Sequence, residues 1–260
     1  MTPWWQLGTA WLLAALMMVA GWAWQRRHSN AGIVDVLWAG GVGGIAVLLA
    51  VLGSGTPLVR IVLAVLASLW GGRLCLHLWQ RVRSEAEDGR YRQLRAHWQG
   101  SQAKFFLFFQ AQAVLVVLFA LPFLAVAANR APSNGWVLVG VATWLVALAG
   151  ESIADQQLAR FRNDSGNHGK VMDQGLWAWS RHPNYFFEWL HWFAYVALAV
   201  GSPLWWLAWA GPVVMYAFLR WISGVPYTEA QALRSRGDAY REYQKRTPMI
   251  FPWFPSKDDN

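Results

Sequence analysis

Seven predominantly apolar stretches alternate with polar connections along the chain: Trp4–Trp24, Ile33–Leu52, Leu58–Leu78, Phe105–Ala128, Trp136–Ala154, Tyr185–Val200 and Leu204–Ile222. Each is close to the length a helix needs to cross about 30 Å of hydrocarbon. The pattern predicts an all-α, seven-transmembrane helix bundle. Three connections, Gly53–Pro57, Asn129–Gly135 and Gly201–Pro203, are short and rich in Gly, Pro, Ser and Asn, as plain turns are. The others are longer and carry charges of both signs, so they are the expected home of chemistry. The first apolar stretch has no basic leader and runs into Arg26 and Arg27 rather than a small-residue cleavage site, so it reads as a span.

Charge then orients the bundle. Of the 22 Lys and Arg residues, twelve fall in the connections that share a side with the C-terminal tail and seven more run from Arg220, at the end of the last stretch, to Lys257 in the tail. The positive-inside rule places that side, and the C-terminus, in the cytoplasm and the N-terminus outside. The net charge of +8 is spread without a basic run, which excludes a nucleic-acid footprint. A single cysteine, Cys75, excludes a disulfide framework, and with scattered histidines no metal site is expected.

Four polar groups stand out against this background. Asp35 opens the second span, where it either complements the helix N-terminus or serves as a proton donor. Arg73, His77 and Arg81 step along one face of the third span. Arg73 lies deep enough to need a partner, for which Asp35 or Glu151 is available. The following EAEDGRYRQLRAHW, with Asp88, Arg90 and Tyr91, reads as a solvated surface of mixed charge. Glu151 and Asp155 leave the fifth span one turn apart, with Arg162 seven residues on. Acids and a base over three turns suit a ligand bearing hydroxyls and phosphates; a salt bridge to Arg160 is the competing reading. In the tail, Glu229 begins a helical stretch, Tyr240 and Tyr243 share a face, and Pro248, Pro252 and Pro255 end regular structure.

The stretch GLWAWSRHPNYFFEWLH, Gly175 to His191, carries the densest chemistry. Pro183 fits the first turn of a helix, where its missing N–H costs nothing. Asn184, Glu188 and His191 then fall on one face. Arg181 and His182 stand before the helix start, where backbone N–H groups favour an anion. A snorkelling helix end with Trp and Tyr as interfacial anchors is the alternative.

These residues resemble the steroid 5α-reductase superfamily, in particular a bacterial branch of mostly unassigned function. The resemblance rests on ADQQLARFR, GLWAWSRHPNYFFEW, GVPYTE and the GDAYREYQKRTPMIFPWFP tail, and more weakly on VDVLW and RLCLHLWQR. It implies one membrane-embedded domain over 1–260, with the substrate side in 1–104 and the cofactor side in 105–260. It implies a multi-pass protein of the bacterial inner membrane, surrounded by lipid, that binds NADPH and reduces the activated C=C bond of a lipophilic enone. By position, Asp155, Arg162, Asn184 and Glu188 match the cofactor-binding residues of that superfamily; Arg181, His182 and Tyr185 complete the motif. Glu151, Glu229, Tyr240 and Tyr243 are the further candidates on that side. The chain departs from the steroid reductases on the substrate side. It has no Gln-Glu pair in the second span, and Leu78 stands where their phenol is expected, which leaves Asp35, His77, Arg81 and Tyr91 as candidate acids. The RHP-Y-E core also occurs in the isoprenylcysteine carboxyl methyltransferases. An S-adenosylmethionine-dependent methyltransferase and a non-catalytic lipid-binding relative are therefore the alternatives.

Overall fold

The computed structural model describes residues 2–254; Pro255 lies outside them. The described residues form helices and turns with no strand: α1 Pro3–His28, α2 Ile33–Leu52, α3 Pro57–Ser84, α4 Gly89–His97, α5 Gln102–Ala127, α6 Asn134–Asn163, α7 Pro183–Leu198, α8 Ala210–Ala217, α9 Val225–Arg236 and α10 Asp238–Arg246. Five of them, α1, α2, α3, α5 and α6, are long and apolar enough to cross a bilayer. Exposed Leu13, Leu16, Ile61, Leu69, Leu107 and Leu138 stud these helices. A water-facing surface does not keep so many large apolar groups, and the chain is a multi-pass membrane protein.

The remaining two apolar stretches take other forms. Tyr185–Val200 becomes α7, whose 16 residues extend about 24 Å at 1.5 Å per residue. Leu204–Ile222 is broken into a 3₁₀ segment, Trp205–Trp209, the short α8, and a π-helical turn, Phe218–Ile222.

The chain divides into two compact units. The first comprises Met1–Val137 with Leu198–Gly211, the second Leu138–Ala197 with Pro212–Asn260. In the first, α2 is the core helix and packs on α3, α5 and α1. Its contact with α3 is glycine-made: a Cβ on Gly71 would sit 3.0 Å from both the Ala39 carbonyl and Gly43 Cα, and one on Gly43 3.2 Å from the Ala67 carbonyl. Ala39 with Gly43, and Ala67 with Gly71, are small residues one turn apart that let the two backbones touch. Trp38 fills the adjoining space, edge-on to Trp70 and Phe119 at 6.1 and 5.3 Å. Buried Asn129 ties one end of this unit, donating to the Leu198 and Val200 carbonyls while its Oδ1 accepts from Ala131 N–H.

In the second unit, α6 and α7 approach through Gly150, where any Cβ would lie 2.3 Å from the Phe187 ring. A 3₁₀ turn at Gly175–Ala178 hooks onto the end of α6. Leu176 N–H donates to Gln157 Oε1 at 3.0 Å and Trp177 Nε1 to the Ala154 carbonyl at 3.0 Å. Gly175 adopts φ +59°, and a Cβ there would meet the Gln157 amide at 2.6 Å, so the position is closed to a side chain. That turn delivers Arg181 and His182 to the start of α7.

Candidate functional site

In the first unit the charged stretch after α3 is only partly open to solvent: Glu85, Arg92 and His97 are exposed, whereas Asp88, Arg90 and Arg95 are half-buried and Tyr91 is buried. Asp88 caps α4 by accepting from Arg90 N–H at 2.9 Å. The helix turns Tyr91 inward until it is 6% exposed. The Tyr91 hydroxyl donates to Asp35 Oδ1 at 2.6 Å, and Arg90 Nη2 donates to Asp35 Oδ2 at 3.2 Å. The sequence pattern offers Arg73 or Arg81 to Asp35. Its partners are instead Arg90 and Tyr91, because α4 folds back over the start of α2. Arg81 reaches Asp88 at 3.0 Å and Glu85 at 3.1 Å, so charged groups and one phenol form a continuous chain from Asp35 to Glu85. Asn30, Gly32, Asp35, Leu78, Arg81 and Asp88 line a cleft beside it. Leu78, at the position of the expected phenol, therefore shares a wall with Asp35, and Tyr91 delivers a phenol to that carboxylate from another helix. His77 is exposed and takes no part in this network.

Electrostatics follow from the packing. Burial, then the charge of Asp35, pushes the Tyr91 phenol well above its ordinary 10, so it stays protonated. Burial opposes the charge on Arg90, but Asp35 and Asp88 outweigh it and raise its pKa. Burial alone would raise Asp88; the Arg90 N–H and guanidinium hold it below the usual carboxylate range.

In the second unit the candidate residues separate into two groups. The first is a buried clasp. Arg181 Nε donates to Glu229 Oε1 at 2.7 Å, and its Nη1 to the carbonyls of Gln244 and Thr247 at 2.9 and 2.7 Å. Gln244 Nε2 donates to Glu229 Oε2 at 2.9 Å, and His182 Nε2 lies 3.3 Å from Glu229 Oε1. Burial works against the Glu229 carboxylate, yet His182 and Arg181 bring its pKa down to about 2. Burial pulls His182 below its ordinary 6.5, and its ring stacks on Tyr185 at 5.1 Å. Tyr243 is buried, donating to the Trp177 and Ser180 carbonyls, and burial and Tyr240 push its pKa up. Tyr240 is pushed to about 12 by burial and the Glu229 charge. Arg181 N–H donates to the Pro248 carbonyl and Trp253 N–H to the Trp179 carbonyl, so the tail is laced to the RHP stretch by its backbone. Arg181, Glu229, Tyr240 and Tyr243 thus belong to the packing that holds α9, α10 and the tail against the start of α7.

The second group is more open. Asn184 Nδ2 donates to Asp155 Oδ1 at 3.2 Å, joining α7 to α6, and Asp155 is exposed. Arg162, two turns beyond, is exposed and makes no ion pair with another described residue; it senses the charge of Asp155 and of Arg236. Arg160, the alternative partner for the acids, is also unpaired among the described residues. Glu151 is half-buried one turn before Asp155, and Glu188 is half-buried one turn after Asn184, within electrostatic reach of Tyr195. His191, on the same face by its spacing, is instead buried against the Tyr195 hydroxyl at 3.2 Å. An exposed carboxylate and guanidinium with an amide between helices can take hydroxyls, a carboxamide and phosphate oxygens. No cluster of His, Cys, Asp and Glu able to hold a metal ion occurs among the described residues.

Two contributors escape a linear reading. Arg90 is hidden in a segment whose charges compensate only in three dimensions. Arg236, brought near Arg162 by α9, has one legible signal: no acid lies three or four residues away on its helix to pair with it.

No solved structure gives a significant match to this chain. A fission yeast protein described as Uncharacterized protein C594.04c, from Schizosaccharomyces pombe, is 27% identical over 221 residues. The match covers 74% of this chain and 62% of that protein, so the chain spans less than two thirds of its relative's length. Residues 21–247 match the family described as Protein of unknown function (DUF1295). Those residues include the Asp35–Tyr91 pair, the Arg181–Glu229 clasp and the Asp155–Asn184 pair, and the chain belongs to the DUF1295 family.

Proposed function

We propose that this protein is an integral membrane reductase of the steroid 5α-reductase type, binding NADPH and saturating an activated C=C bond in a lipophilic enone. The observation that carries the reading is the group on α6 and α7: Asp155 and Asn184 in contact, with Arg162 unpaired among the described residues. This donor set fits a dinucleotide. The Arg162 fork binds phosphate oxygens, Asp155 accepts from ribose hydroxyls, and the Asn184 amide and Glu188 carboxylate suit the carboxamide and ribose of the nicotinamide half. When bound, NADPH supplies the hydride. In the first unit, the raised pKa of Tyr91 keeps the proton on its phenol at neutral pH, and an O–H that can turn from Asp35 to a carbonyl oxygen suits Tyr91 as the candidate acid. Asp35 and Arg90 position the phenol and remain a neutral pair when it turns away.

The membrane part of the proposal is the seven-span arrangement with the N-terminus outside and the C-terminus cytoplasmic, in a bacterial inner membrane. Here α7 and the broken Trp205–Ile222 segment are the sixth and seventh crossings. The α7 deficit of about 6 Å is within what local bilayer thinning absorbs.

Binding tests the reading. NADPH should bind the detergent-purified chain, and Arg162→Ala should weaken it about ten- to a hundred-fold, the loss of one charge-assisted contact. Equal binding by wild type and variant would remove Arg162 from the site. Binding of S-adenosylmethionine with none of NADPH would favour the methyltransferase.

A further inference from the structure

α9 carries a cation that the resemblance does not reach. The Arg236 Nε donates to the Lys170 carbonyl at 2.7 Å and its Nη1 to Ser235 Oγ at 3.2 Å. These two bonds fix the guanidinium on the loop that follows α6, and neither brings a carboxylate. Arg162 lies in the last turn of α6, at the entry to that loop, and the two guanidinium groups repel one another. Among the described residues neither makes an ion pair. Asp155 attracts Arg162 and Arg236 repels it, and a dianion bound by both forks relieves that repulsion. The remaining N–H groups of both forks can still donate, and a phosphate with three terminal oxygens takes two forks at once.

We propose that Arg236, held by the Lys170 carbonyl, forms with Arg162 a two-arginine phosphate clamp, the second arm of the nucleotide site. The inference rests on the NADPH reading and extends it to a residue outside the motifs that carry the resemblance. The shared chemistry is a phosphate, and a dinucleotide offers it twice: in the pyrophosphate bridge, and in the 2′-phosphate that separates NADPH from NADH.

Titrating the full chain in mild detergent with NADPH and with NADH separates these. Wild type, Arg236→Ala, Arg236→Lys and Arg234→Ala are compared, with the melting temperature of each variant as the folding control. Arg236→Ala should weaken NADPH about ten-fold or more. Arg236→Lys should recover part of that loss, since the charge returns without the fork, and Arg234→Ala should change nothing. If NADH affinity is untouched by Arg236→Ala, the clamp holds the 2′-phosphate. If both nucleotides weaken equally, it holds the pyrophosphate. Should wild type bind NADPH and Arg236→Ala bind both nucleotides as wild type does, the clamp is wrong while the NADPH reading stands. Should wild type bind neither nucleotide, the NADPH reading fails and the clamp with it.

Discussion

Replacing Glu229 by glutamine tests whether the RHP stretch is held by a charge or merely crowded by its neighbours. The change keeps the side chain's shape and removes the negative charge that faces Arg181, which is 8% exposed, and His182. The new amide would also set an N–H₂ group against the Gln244 amide that now donates to Glu229 Oε2 at 2.9 Å. Two routes give the magnitude. The carboxyl falls from its ordinary 4.5 to about 2; at about 1.4 kcal/mol per unit, and discounted for partial solvent screening, that is about 2 kcal/mol. Removing one partner of a buried ion pair costs about 3–5 kcal/mol. Two bonds from Arg181 to backbone carbonyls survive, so we expect a loss of about 2–4 kcal/mol, seen as a fall of about 5–10 °C in melting temperature. The pH dependence fixes the cause. A carboxyl with a depressed folded pKa contributes stability that is complete above about 4.5 and is lost as pH falls toward 2. The advantage of wild type over Glu229→Gln should therefore be full at pH 7 and shrink below about pH 4.5. Intrinsic Trp fluorescence during thermal or SDS unfolding reads it directly. Equal melting temperatures at pH 7 would refute the clasp. So would a variant that loses NADPH binding with no loss of stability, since Glu229 would then serve the ligand.

Asp35→Asn should abolish enone reduction and leave NADPH affinity unchanged; because Arg90 keeps Asp88, the stability loss should stay near about 1–3 kcal/mol, and full turnover in this variant would remove Asp35 from the reaction. Tyr91→Phe should likewise stop turnover, with nucleotide binding in calorimetry as the control that the fold persists. Gly71→Ala should destabilise by about 1–3 kcal/mol because its Cβ meets backbone on α2, whereas Gly72→Ala, with nothing within 4 Å, should be close to neutral. Equal melting temperatures for that glycine pair would contradict the close α2–α3 contact.

Much of the helical frame is legible in the sequence, because hydropathy reports the composition that a membrane selects. The second span, Ile33–Leu52, is α2 residue for residue, and Pro183 does begin α7. Hydropathy does not report helix continuity, so Leu204–Ile222 reads as one span although a 3₁₀ segment and a π turn divide it. The site is half legible for a similar reason. Asn184 and Asp155 lie 29 residues apart on helices whose periodicity shows their faces, and they meet. Asp35 and Tyr91 are 56 apart, and nothing periodic links a membrane helix to a short polar one. In the linear pattern Arg181 and Glu229 read as candidate ligand contacts, and their buried pairing with each other across 48 residues leaves no mark there.

The most direct test of the nucleotide claim needs no substrate and no variant. The full chain is extracted in mild detergent, purified without added nucleotide and denatured, and the released small molecules are identified by mass spectrometry. The account predicts NADP(H) at a substantial fraction of the protein. Recovery of S-adenosylmethionine or its demethylated product, with no NADP(H), would contradict it.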